Sequence, residues 1–105
     1  MNNNFGIRDK SYSLILESFK SFSKIEKAYI FGSRAMGNYK PGSDIDIAIL
    51  GDDVDFETTS GLYRKLNEEL PIPYFIDIVN FNTIDIDELK KHILNKGIII
   101  FKRKI

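Results

Sequence analysis

Four short apolar runs, at residues 28–31, 45–50, 74–81 and 98–101, punctuate the chain at intervals. Each is rich in β-branched and aromatic residues, and the first two end on Gly32 and Gly51, so all four read as strands. The stretches between them carry helical spacing. Leu14, Ile15, Phe19 and Phe22 predict a helix over 9–23 with Ser11 as its cap. Leu62, Tyr63, Leu66 and Leu70 predict a second, stopped by Pro71 and Pro73. Ile86, Leu89, Ile93 and Leu94 predict a third, opening near Asp85 with Glu88 in a capping-box relation and ending at Gly97. Residues 32–43, GSRAMGNYKPGS, break both patterns and read as a turn, one helical turn and a loop. The alternation predicts an α/β (α+β) fold, a mixed sheet of about four strands flanked by helices. A length of 105 residues predicts one domain over 1–105.

Several function classes are excluded early. There is no cysteine and a single histidine, His92, so disulfides and thiolate metal sites are absent and any metal is held by oxygen. The 15 Lys plus Arg are balanced by 15 Asp plus Glu, which denies the chain the basic face that duplex nucleic-acid binding needs. No run approaches the ~20 apolar residues of a membrane span, and the N-terminus lacks a signal-peptide centre, so a cytoplasmic protein is expected.

Among the acids, Asp-x-Asp occurs three times, and context separates the occurrences. Asp53 and Asp55 follow Gly51 in a loop and are placed to cap the next helix. Asp85 and Asp87 open a helix, where carboxylates favour the free backbone donors. Asp44 and Asp46 stand at the start of a strand, where period-two geometry sends both to one face. Asp77 lies between Ile76 and Ile78, an apolar setting that would be costly without a partner. If the third strand pairs beside the second, Asp77 joins Asp44 and Asp46 in an oxygen-only site suited to Mg²⁺ or to two ions.

Gly32-Ser33 directly follows the first strand and precedes Arg34. A glycine there lets phosphate oxygens approach backbone N–H groups, and the serine hydroxyl adds a donor. The same pair also serves as a plain turn with an N-cap. Combined with the acids ten residues on, it describes a phosphoryl- or nucleotidyl-transfer site. Arg34 reads equally as a phosphate contact or a solvent-facing side chain. Lys40 reads as a solvated loop residue, His92 as a surface or packed residue, and Tyr39 as a loop tyrosine that could stack on a base.

The segment FGSRAMGNYKPGSDIDIAIL resembles the signature of the minimal nucleotidyltransferases (MNT) of the DNA polymerase β superfamily: Gly-Ser, ten residues, Asp-x-Asp. The resemblance extends through Ala35, Gly37, Ser43, FIDIV and the NKGIIIF ending; relatives often carry a second basic residue where this chain has Met36. It implies transfer of a nucleoside monophosphate to an acceptor hydroxyl. Asp44, Asp46 and Asp77 would be the catalytic and metal-binding acids, with two Mg²⁺ ions as cofactor. Gly32, Ser33 and Arg34 would contact the nucleotide, and Asp77 would activate the hydroxyl. Stand-alone members resemble antitoxins of HEPN-family RNase toxins. The implied partner is therefore a co-encoded small helical HEPN protein whose tyrosine receives AMP from ATP, in a homo- or hetero-oligomer. Two alternatives stay open: an antitoxin acting by contact alone, and a small-molecule, aminoglycoside-type transferase needing an accessory subunit.

Overall fold

The computed structural model describes residues 3–104. In chain order the elements are α1 (Asp9–Lys20), β1 (Lys27–Phe31), α2 (Ser33–Met36), β2 (Ile45–Leu50), α3 (Phe56–Arg64), β3 (Ile76–Asn80), α4 (Asp87–Lys96) and β4 (Ile98–Lys102). A π-helical turn, Lys65–Glu69, extends α3, and a 3₁₀ turn, Phe81–Thr83, follows β3. The four strands form one mixed sheet in the order β3-β2-β1-β4, with β2 and β3 parallel and the other neighbours antiparallel. This is the predicted architecture.

Alternation along the strands sorts the core into two layers. Ala28, Ile30, Ile45, Ile47, Ile49, Ile76 and Ile78 share a cluster with Ile15, Phe19, Leu62 and Leu66, which joins the sheet to α1 and α3. The opposite face carries Tyr29, Phe31 and Ala48 under Ile93 of α4, a much smaller cluster. One helix cannot cover four strands. The face that holds Asp46 and Asp77 is therefore the thinly covered one.

Local signals were displaced in four places. Helix α1 opens two residues before Ser11, with Arg8 at its N-cap; Ser11 lies buried inside the helix. Helix α4 opens at Asp87 with no side-chain cap, because Ile84 and Ile86 keep extended backbone after the 3₁₀ turn; the capping box predicted at Asp85 is absent. Ile86 and Leu94, predicted to be buried on α4, are 61% and 54% exposed, since only Ile93 faces the sheet squarely. Asp77 is exposed: the flanking isoleucines enter the core, and the carboxylate emerges on the open face of an edge strand. Its apolar sequence context therefore gives no desolvation argument for a partner.

Asp55 caps α3 as expected. Its carboxylate accepts from the Thr58 hydroxyl at 2.6 Å, the Thr58 backbone N–H at 2.8 Å and Lys24 Nζ at 2.9 Å. These bonds, led by the Thr58 hydroxyl, hold its carboxyl well below the usual carboxylate range. A depressed folded-state pKa adds stability above the unfolded value, about 3.9, and loses it as pH falls through the folded value. In urea melts, Asp55→Ala should therefore lie below wild type at neutral pH, with the gap closing in strong acid. An equal gap at both pH values would contradict this assignment.

Candidate active site

Strand β1 ends at Phe31, which pairs with Asp46 across the antiparallel ladder. The next residue, Gly32, has φ 76° and ψ −154°, a conformation essentially restricted to glycine. A Cβ at Gly32 would overlap Oδ2 of Asp46, so the missing side chain is what lets the turn and the carboxylate lie together. Ser33 then begins the single turn of α2, closed at Gly37.

On the other side of β2, Asp46 and Asp77 are direct partners in the parallel register. Asp44 stands two residues before Asp46, just ahead of the strand. Burial first, and then the charges of Asp77 and Asp44, raise the Asp46 carboxyl above its ordinary value. The structure thus brings Gly32, Ser33, Asp44, Asp46 and Asp77 to one end of one sheet face. A carboxylate raised by burial and by neighbouring acids favours a cation beside it. Among the described residues, however, no three acidic or histidine side chains form a ready-made metal group. Hard oxygen donors fit Mg²⁺, which is typically held by one or two carboxylates together with substrate phosphates, not by an all-protein cage. A cavity of about 550 Å³ lies toward the other end of β3 among Phe56, Val79, Ile84 and Leu89, and none of the three acids lines it.

Arg34 is placed differently from the other predicted nucleotide contacts. It is 2% exposed, which overturns the solvent-facing expectation. Nε and Nη2 both donate to the Ser43 carbonyl, at 3.0 and 2.8 Å, and Nη1 donates to the carbonyls of Phe5 and Gly6, at 2.9 and 3.2 Å. Four of the five guanidinium N–H groups are thus engaged with backbone. Its Cζ also lies over the rings of Tyr39 and Tyr74, 5.0 Å from each centroid. Tyr39 therefore stacks on Arg34. Because Arg34 follows Ser33 and Ser43 precedes Asp44, this bond fastens the two ends of the ten-residue connection to each other. Lys40 is exposed, as expected. His92 is packed, edge-on to Phe31 at 6.4 Å, which puts it on the same sheet face as the acids despite its distance in sequence.

The polymerase beta nucleotidyltransferase family model matches residues 14–105. The chain belongs to this nucleotidyltransferase family. A segment of 43 residues is 51% identical to a candidate protein adenylyltransferase of Methanocaldococcus jannaschii, covering 41% of this chain and 42% of that protein, under half of its length. A chain from a toxin-antitoxin crystal structure with AMP-PNP is 25% identical, with TM-score 0.72 over 89% of this chain and 74% of that chain. A candidate nucleotidyltransferase of Sulfolobus solfataricus is 26% identical, with TM-score 0.56 over 89% and 78%. The complex of tri-AMPylated Shewanella oneidensis HEPN toxin with MNT antitoxin shares the fold, with TM-score 0.66 over 90% and 71% at 23% identity. Among the described residues, no helix is long and apolar enough to cross a membrane.

Proposed function

We propose that this chain is a Mg²⁺-dependent protein adenylyltransferase that moves AMP from ATP to a tyrosine hydroxyl of a HEPN-family RNase toxin, and so acts as its antitoxin. The observation that carries the reading is the meeting of the Gly32 turn with the Asp46 and Asp77 pair, where triphosphate and acceptor oxygen can converge. Gly32 and Ser33 offer backbone and hydroxyl donors to the β/γ phosphates. Asp44, Asp46 and Asp77 would hold the metal, which when bound neutralises phosphate charge and lowers the acceptor pKa. Asp77, the exposed acid on the edge strand, is the one best placed to meet an incoming macromolecule and take its hydroxyl proton. As that proton leaves, the acceptor oxygen bonds to the α-phosphorus, and the bond from the α-phosphorus to the pyrophosphate oxygen breaks. Arg34 enters this scheme as the holder of the 34–43 connection.

The family membership and the likeness to a toxin-antitoxin chain with AMP-PNP support the reading. Its test is the full chain with Mg²⁺, α-labelled ATP and the helical protein encoded beside it. Label should appear on the partner's tyrosine, and Asp44→Ala should lower the rate at least about 100-fold. An unlabelled partner, in an assay where an active relative labels its own, would end the proposal. Equal rescue from toxicity by wild type and Asp44→Ala would point instead to neutralisation by contact.

A further inference from the structure

Strand β3 lies at the edge of the sheet, and its backbone groups alternate between β2 and the outside. The Ile45 N–H donates to the Phe75 carbonyl at 3.0 Å, so the odd-numbered residues of β3 face β2 and Ile76 presents its N–H and C=O outward. Those two groups are not left to solvent. The Ile76 N–H donates to Asn67 Oδ1 at 2.9 Å, and Asn67 Nδ2 donates to the Ile76 carbonyl at 2.8 Å. One carboxamide thus supplies the donor and acceptor that another strand would have supplied. Its second N–H donates to the Tyr63 carbonyl at 3.1 Å, which anchors the group to α3. Asn67 sits in the π-helical turn, where the Leu70 N–H reaches back five residues to the Lys65 carbonyl. A π turn rotates side chains off the regular helical stripe, and such turns are frequent at functional sites.

The residue after Ile76 is Asp77. Ile76 and Ile78 pack the strand's other face into the core, but Phe75 is 47% exposed and Asp77 itself is exposed, so on the face of the acids side-chain packing does little to hold the strand's start. We propose that Asn67 is a positioning residue for Asp77: by completing the outer ladder at Ile76 it keeps β3 in the register that sets Asp77 opposite Asp46. The inference rests on the role given to Asp77 above. Asparagine is the side chain this demands, since aspartate keeps the acceptor and loses the donor, and glutamine is one methylene too long.

The test uses the full chain as wild type, Asn67→Ala, Asp77→Asn and the double variant. In metal-free protein, Asn67→Ala should speed hydrogen exchange of the Asp77 N–H about tenfold while the β1 amides keep their protection. Adenylyl transfer should fall about 10- to 100-fold in Asn67→Ala, as for other residues that orient a metal-site ligand, with no further loss when the change is added to Asp77→Asn. If Asn67→Ala does not fold, Asn67→Asp, which keeps the bond from the Ile76 N–H and loses the two donated by Nδ2, should show the same pattern. Unchanged Asp77 exchange, or losses that multiply in full in the double variant, would overturn the proposal. Full activity of Asp77→Asn would instead remove the role assigned to Asp77, and a damaged Asp77→Asn beside an intact Asn67→Ala would overturn the positioning role alone.

Discussion

Arg34→Met is expected to destabilise the protein by about 3 kcal/mol, read as a fall in the urea midpoint with an unchanged slope. A buried guanidinium is costly unless its donors are met, and here they are met by the carbonyls of Ser43, Phe5 and Gly6 and by two tyrosine faces, with no carboxylate among its hydrogen-bond partners in the described residues. Replacing a buried ion pair by apolar residues can be neutral when both charged partners are removed together. Backbone carbonyls cannot be removed in that way. Methionine fills much of the volume but leaves those carbonyls without a donor, at about 1–3 kcal/mol for each that stays dry. Arg34→Lys should recover only part of the loss, because a single ammonium cannot fork between Ser43 on one side and Phe5 with Gly6 on the other, nor spread its charge over the rings of both Tyr39 and Tyr74. A midpoint for Arg34→Met within about 0.5 kcal/mol of wild type, the range of ordinary surface changes, would show that the clamp contributes little.

The arginine also lies beyond what local sequence signals carry. The strands and helices were legible because their signals are local and periodic: Ile45 to Leu50 alternates, Pro71 and Pro73 halt a helix, and Asp55 caps α3 as its position predicted. The pairing of Asp46 with Asp77 was legible once β3 was placed beside β2, since a parallel register then does the rest. Arg34 was not, because its partners Phe5 and Gly6 lie 29 and 28 residues away, and nothing in a lone arginine announces a buried carbonyl cage. Asn67 escaped for a similar reason: its function depends on a π turn and on strand parity, neither of which the residues of 65–69 spell out. The exposure of Asp77 is hidden in the sequence, because apolar neighbours along a strand describe the opposite face of the sheet from the residue between them.

Gly32→Ala should be the more damaging change for chemistry, cutting transfer at least about 100-fold, the order expected when reacting groups are displaced by about an ångström. Two costs coincide at this residue. The backbone at φ 76° and ψ −154° lies in territory that only glycine occupies readily, so alanine strains it by about 1–3 kcal/mol. The new methyl also occupies the space of Asp46 Oδ2, so the carboxylate must swing aside or the turn must retreat from it. Gly37 separates these effects. It has φ 83°, but a Cβ there would meet nothing within 4 Å. Gly37→Ala therefore carries backbone strain without displacing an acid, and should cost about 1–2 kcal/mol of stability while keeping most of the transfer rate. Urea melts and adenylyl-transfer rates on both variants decide the matter. If the two lose stability and activity alike, the contact between Gly32 and Asp46 has no special role. If Gly32→Ala alone loses the rate, the glycine is needed for the space it leaves to a carboxylate as well as for its backbone freedom.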